Sequence, residues 1–360
     1  MDHTGFFRSI KSGQISCLYL MEGEEEYIKG AALEALEQAL IPADLLSLNK
    51  VVLENPSVDE LIAAAETLPF LSEKRLVIVK DCAFLRPSKA KDEDKPESQE
   101  EPEADGQLAK MCDYLSRVAP TACLVFIVKG KADKRKKLYL AIKKQEGIIT
   151  FSPLEEAELN RWIMQTMRNL GKEISPGNAA RLAFTVGKDA GLLRTEMEKL
   201  AAYAAERQEI LEQDIQGLAT KSLEASVFDM VDDLVDGKTA HAFSLFENMI
   251  RTGGNRFAVL AMILRQYRIL FHLKAMQEAR VSPADIRNRL GIPPFAVDRA
   301  MRQARGYTLA QLDAAVKLCA DTEFAIKSGR MAEQGAVERA MLHLEAIRLG
   351  EAAQPLFMGR

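Results

Sequence analysis

Glu22-Gly23-Glu24-Glu25-Glu26-Tyr27 stands where a nucleotide-binding loop would stand, between the apolar run 15–21 and the amphipathic stretch 27–40. A Gly-containing turn from strand to helix presents backbone N–H groups, and usually a Lys, to a triphosphate. Four carboxylates suit the positive end of a helix dipole, but they repel phosphate. No Lys-Ser/Thr pair follows to hold the phosphates and magnesium. The third apolar run ends Val79-Lys80-Asp81-Cys82, one Asp beside a Lys where a magnesium strand needs two acids, so Asp81 reads as a loop cap. In Gly187-Lys188-Asp189-Ala190-Gly191-Leu192-Leu193-Arg194, an Arg stands where a sensor helix would reach a γ-phosphate. With no phosphate site opposite, Arg194 reads as an i,i+4 partner of Glu198 or an interface residue.

Other chemistries fail on spacing. His3, His241, His272 and His343 form no HxxxH or HExxH, and no GxSxG occurs. Cys17, Cys82, Cys112, Cys123 and Cys319 include no CxxC, which points to reduced thiols rather than zinc. The residues therefore predict no catalytic group, no cofactor and no metal.

Two candidates for binding remain. Leu68, Pro69, Phe70 and Leu71 follow a helical stretch, 58–67, that must stop before Pro69, because proline disfavours helix in its predecessor and lacks an N–H. Ser72-Glu73-Lys74-Arg75 restores polar character before the buried run 76–79, isolating the apolar group at a domain edge. Such a tip can enter an apolar pocket, where a buried Phe and Leu each contribute roughly 1.5–3 kcal/mol. Local sequence alone favours the opposite arrangement, Phe70 and Leu71 folded back over their own core. The second candidate is the basic run Lys129, Lys131, Lys134, Arg135, Lys136, Lys137, Lys143 and Lys144, which continues into an amphipathic helix. A solvated face and a phosphate-contacting surface both fit its spacing, and the absence of interleaved aromatics argues against base stacking.

The elements that must position these groups follow from periodicity. Five short apolar runs, 15–21, 50–53, 76–79, 124–128 and 148–151, alternate with helical patterns and predict a parallel sheet wrapped by helices. No strand is expected after Pro153. Three or four short helices fill 154–218, with Ser175-Pro176 and Asp189 as starts, and longer helices fill 223–349. The segment 87–103, rich in Pro, Glu and Ser, is expected to be disordered. At 360 residues, with 48% hydrophobic and 28% charged content, the chain suits two or three domains with real cores. Its first residues, His3 included, are expected to be mobile and carry no leader pattern, and no apolar run approaches the ~20 residues that span a bilayer. These features predict a cytoplasmic protein without a membrane partner. A formal charge of −4 argues against nonspecific nucleic-acid binding by the whole chain.

LYLMEGEEEYIKGAAL, TLPFLSEKRLVIVKD, LVFIVKGKADKRKKLYLAIKK, GKDAGLLRTEMEKLAAYA, FDMVDDLVDGKTAHAF, LRQYRILFHLKAM, LGIPPFAVDRAMRQAR and DTEFAIKSGR, in this order, resemble the delta subunit family of bacterial DNA polymerase III over about residues 18–349. The resemblance implies α/β plus all-α architecture. An AAA+-like parallel-sheet domain without a working P-loop would span 1–152, with the acidic insert at about 87–105. A helical lid would span 153–220 and a helical collar 221–350. It further implies a clamp-loader subunit of the replicative polymerase that binds and opens the sliding clamp (beta) without hydrolysing ATP. Partners so implied are the ATPase gamma/tau and delta prime subunits, through the collar, and primer–template DNA, with Lys134, Arg135, Lys136 and Lys137 facing it. The family inserts an apolar pair into the clamp at the position of Leu68, Pro69, Phe70 and Leu71. Pro69 replaces a Leu of that pair, leaving Leu68 and Leu71 both open as the second anchor beside Phe70. No Ser-Arg-Cys run, the usual source of a trans-acting arginine in ATPases of this fold, is present. The alternative is an active AAA+ ATPase of the same fold, a motor or remodeller, which a GK[ST] after the first strand would favour.

Overall fold

A computed structural model describes residues 1–85, 102–290, 292 and 294–350. The chain divides into two compact units, Met1–Leu154 and Glu155–Arg360.

The first unit contains α1 (His3–Lys11), β1 (Leu18–Gly23), α2 (Glu26–Leu40), α3 (Leu46–Asn49), β2 (Lys50–Glu54), α4 (Val58–Glu66), β3 (Arg75–Lys80), α5 (Pro102–Leu115), β4 (Ala122–Ile127), α6 (Lys137–Lys144) and β5 (Ile148–Phe151). The five strands pair in parallel in the order β2-β3-β4-β1-β5. Every residue of β1 is buried, because helices cover both faces of the sheet and an unbroken apolar run is what such a strand requires. On one face Leu18, Leu20, Val77, Val79, Leu124 and Phe126 pack with residues of α4, α5 and α6. On the other, Phe6 of α1 meets Tyr19 edge-on at 5.1 Å.

Three expectations change here. The first residues form α1 rather than a mobile start: Asp2 caps it by accepting from the Gly5 N–H at 2.7 Å, and burial of Phe6 holds it down. The acidic insert lies outside the described residues from 87 to 101, whereas 102–105 open α5, where the fixed φ of Pro102 suits a first helical turn. Two strands follow Pro153, each of two residues and too short to show a period.

These strands belong to the second unit, which runs α7 (Glu156–Asn169), β6 (Glu173–Ile174), α8 (Pro176–Val186), α9 (Ala190–Ala204), β7 (Glu209–Ile210), α10 (Glu212–Leu218), α11 (Leu223–Val235), α12 (Thr239–Arg251), α13 (Arg256–Glu278), α14 (Pro283–Leu290), α15 (Pro294–Arg305), α16 (Leu309–Lys327) and α17 (Ala336–Leu349). Ser175 and Asp189 cap α8 and α9 with their side chains, as their residue types predict. One apolar core joins α11 to α13 and α15 to α17, with Tyr267 and Tyr307 hydrogen-bonded inside it at 3.0 Å. Among the described residues, no helix is long and apolar enough to cross a membrane.

Candidate functional site

At the C-terminal end of β1, donors that a phosphate loop would offer to a ligand are spent inside the chain. The Gly23 N–H donates to the Gly130 carbonyl at 2.7 Å, Glu25 N–H to Phe151 O at 3.1 Å, and Glu26 N–H to Glu24 O at 3.1 Å. Gly23 must be glycine, since its φ is +124° and a Cβ would lie 2.1 Å from the Phe151 carbonyl oxygen. Lys29, only 2% exposed, projects from α2 into the same place. Its Nζ donates to Gly23 O and Val128 O, each at 2.9 Å, and pairs with Glu26 at 2.8 Å. An ammonium of the chain thus fills the end of the strand.

Glu22 is equally buried. It accepts from the Ala132 N–H at 2.9 Å and from the Tyr139 hydroxyl at 3.3 Å. Burial, with the Glu22 charge added, pushes Tyr139 up. A cleft of about 320 Å³ beside this network is lined by Glu26, Glu54 and Asp81 against Lys29, Lys80 and Lys129, with no excess of cation for a triphosphate.

Asp81 does not cap its loop. That role falls to Asn55, whose Oδ1 accepts from the Ala83 N–H at 3.1 Å, while Asp81 is exposed at φ 53°. Arg194 donates to Glu198 at 2.7 Å, the i,i+4 pair read from the sequence. Among the described residues, no group of three or more His, Cys, Asp or Glu could hold a metal.

The apolar tip lies in the connection from α4 to β3. Helix α4 ends at Glu66, Thr67 turns extended (ψ 123°), and its hydroxyl donates to Ala63 O at 2.7 Å. Leu68 is 75% exposed, Phe70 55% and Leu71 77%, with Pro69 half-buried, so the arrangement folded over the core does not occur. Leu71 has φ 50°, a left-handed conformation that a branched side chain adopts only when held. Beneath the tip Asn49, fully buried, receives the Phe70 N–H at 2.6 Å and donates to the Phe70 carbonyl at 2.8 Å. Leu48, the residue before it, is exposed as well.

The basic run is mixed in character. Arg135 is bound through two N–H groups to Asp133, each at 3.0 Å, and this hydrogen bonding holds the Asp133 carboxyl down to about 2. Lys131 pairs with Glu24 at 3.0 Å. Lys134 and Lys137 are exposed, and Lys136 is half-buried as the N-cap of α6.

Sequence reasoning missed Lys29 and Asn49. A lysine one position from the buried stripe Ile28, Ala32 and Leu36, with carboxylates before it, is the only local sign of the first. For Asn49 no local signal exists, because the main chain it grips lies 21 residues away.

The family described as DNA polymerase III, delta subunit, matches residues 19–152, and that described as DNA polymerase III delta subunit, C-terminal domain, matches residues 224–344. The acidic turn after β1, the tip and the basic run all fall within the first. The DNA polymerase III subunit delta of Bacillus subtilis is 26% identical over 341 residues, covering 94% of this chain and 95% of the relative. A solved structure described as the B. subtilis DNA clamp loader delta protein superposes with TM-score 0.52 at 26% identity, covering 95% of this chain and 99% of its own. The Holliday junction branch migration motor of Thermotoga maritima aligns with TM-score 0.37 at 12% identity, over 70% of this chain and 79% of its own.

Proposed function

Because the chain belongs to the delta subunit family of DNA polymerase III, a clamp-loader family, we propose that it binds the sliding clamp through Phe70 and opens the ring by binding energy alone, without hydrolysing ATP. The exposed tip carries this reading: large apolar side chains stand in water on a main chain that a buried amide holds still, which is what a pocket-seeking anchor requires. Leu68 and Leu71 are both exposed enough to be the second anchor, and Pro69 stiffens the chain between them. A wrench of this kind needs no catalytic residue, only different affinities for closed and open rings.

The filled end of β1 supports the non-hydrolysing part of the proposal. A nucleotide there would have to displace Lys29 and break main-chain bonds of residues 23 and 25, which disfavours the active-ATPase alternative. Residues 153–220 serve as the lid and 221–350 as the collar that joins the ATPase gamma/tau and delta prime subunits. Lys134, Lys136 and Lys137 face primer–template phosphates in the assembled cytoplasmic loader. Cations at the N-terminus of α6 oppose the helix dipole, an arrangement that an anionic partner relieves. Arg135, already tied to Asp133, contributes less.

Binding of the purified chain to the sliding clamp of its own source, compared with a Phe70→Ala, Leu71→Ala variant of unchanged circular dichroism, tests the reading. Binding lost with the tip supports it. Undiminished binding places the docking surface elsewhere, and no wild-type binding removes the clamp-opening role.

A further inference from the structure

Asn49 has no part in the sheet ladder and none in any charge network, yet it is wholly buried and its carboxamide is committed to the tip. Its Oδ1 accepts from the Phe70 N–H at 2.6 Å, and its Nδ2 donates to Phe70 O at 2.8 Å and to Leu45 O at 3.2 Å. A buried amide is costly unless its donor and acceptor are both used, and here both are used on the same residue.

We propose that Asn49 is the positioning residue of the docking tip, an inference that rests on the tip reading above: by gripping the main chain of Phe70 it fixes the ring outward before any partner arrives. The segment that carries Asn49 is itself fastened. Arg75 Nη1 donates to the Leu48 carbonyl at 3.0 Å, and Lys50 pairs with the mostly buried Glu37 at 2.6 Å. The far side of the tip is tied by the Ser72 hydroxyl, which donates to Leu40 O at 3.4 Å. Between these ties Leu71 is kept at φ 50°, a conformation that a released loop would leave.

Two consequences follow from a grip on main-chain atoms alone. The side chains at 68–71 can vary while the geometry persists. Binding also avoids the cost of ordering a mobile loop, because affinity falls in proportion to the fraction of tips already in the competent conformation.

Asn49→Ala leaves the Phe70 ring intact and frees its main chain. With about one tip in ten competent, clamp affinity falls about tenfold, mostly through slower association. The experiment uses the full chain and the sliding clamp of its own source, with wild type, Asn49→Ala and Phe70→Ala compared by binding kinetics. A Phe70→Trp reporter in a Trp162→Phe background, where it is the only tryptophan, reads tip mobility by fluorescence anisotropy with and without Asn49→Ala. The expected result is weaker, slower binding together with lower anisotropy of the reporter in a variant that still melts cooperatively. Wild-type affinity in Asn49→Ala while Phe70→Ala fails to bind overturns the positioning role and leaves the tip reading standing. Weakened binding with unchanged anisotropy overturns it too. A Phe70→Ala variant that binds as wild type overturns the tip reading itself. Should Asn49→Ala fail to fold, hydrogen exchange of the Phe70 amide in the wild-type chain decides: protection supports the grip, and exchange at the rate of an open loop refutes it.

Discussion

Replacing Phe70 and Leu71 by Ala removes clamp affinity while leaving the fold as stable as before. Full burial of a Phe or Leu side chain yields roughly 1.5–3 kcal/mol. With 55% of Phe70 and 77% of Leu71 still in water, docking can recover about half of that for the first and three quarters for the second. The sum is about 2–4 kcal/mol, or roughly 30- to 700-fold in Kd at 1.4 kcal/mol per decade. Because Asn49 holds Phe70 by its main chain, the shortened tip keeps its conformation and the loss is chiefly that of the side chains. Stability responds in the opposite manner. Exposed positions tolerate truncation within about 0.5 kcal/mol, whereas a core Phe→Ala costs about 3–5 kcal/mol. Titration of the clamp by surface plasmon resonance, beside urea denaturation of the same preparations, measures both quantities. A loss of affinity under about threefold refutes docking through this tip. Destabilisation by about 3 kcal/mol or more refutes its exposure.

Lys29→Met keeps the aliphatic stem and strands the Gly23 and Val128 carbonyls without their donor, so unfolding free energy falls by about 2–5 kcal/mol, read by denaturant melts, with no nucleotide binding gained by calorimetry. Changing Lys134, Lys136 and Lys137 together to Ala lowers the salt dependence of DNA binding by the assembled loader, by about 0.9 in the log–log slope for each phosphate no longer neutralised; the same change at Arg135 has a smaller effect. Asp214 is held below the usual carboxylate range, first by hydrogen bonds from Arg207 at 2.7 and 2.9 Å. A depressed carboxyl stabilises fully above its unfolded pKa of about 3.9 and loses that contribution as pH falls through the lower folded value. Melting temperatures of wild type and Asp214→Asn, scanned from neutral to strongly acid pH, therefore differ at neutral pH and converge at the acid end.

Strand positions in the first unit were legible from short runs rich in β-branched and apolar residues: 76–79 lies inside β3, which is buried on both faces, and 50–53 and 148–151 lie within or coincide with the partly buried edge strands β2 and β5. Residues 15–17 belonged to the same apolar run but not to β1, which starts at Leu18 once the flanking ladders begin. Helix α1 was missed because, although amphipathic, it is only nine residues long and buries a single side chain, Phe6. The same brevity hid β6 and β7. At the candidate site, residue types showed what could not happen at Glu22 to Glu26, but not what happens instead. The partners of Lys29 and Asn49 are Val128 and Phe70, 99 and 21 residues away, and only the folded chain brings them together. For the tip, the helix-stopping effect of Pro69 was readable, whereas whether it packs inward or stands outward depends on long-range bonds such as those of Asn49, which no local pattern displays.

The placement of the tip keeps the proposed docking surface apart from the edge of the sheet where a nucleotide would bind. Parallel α/β sheets gather ligands beyond the C-terminal ends of their strands, because the crossover connections leave crevices and helix N-termini there. In this sheet the end of β1 is occupied: the ends of β1 and β4 are joined through Lys29, and the turn after β1 is hydrogen-bonded to Gly130 and Phe151. The tip precedes β3 and so lies at the N-terminal edge, on the opposite side of the sheet from the filled site. No residue serves both places, so the bonds at the end of β1 leave Phe70 undisturbed. If Phe70 docks as proposed, its surface is therefore presented independently of what happens at the end of β1.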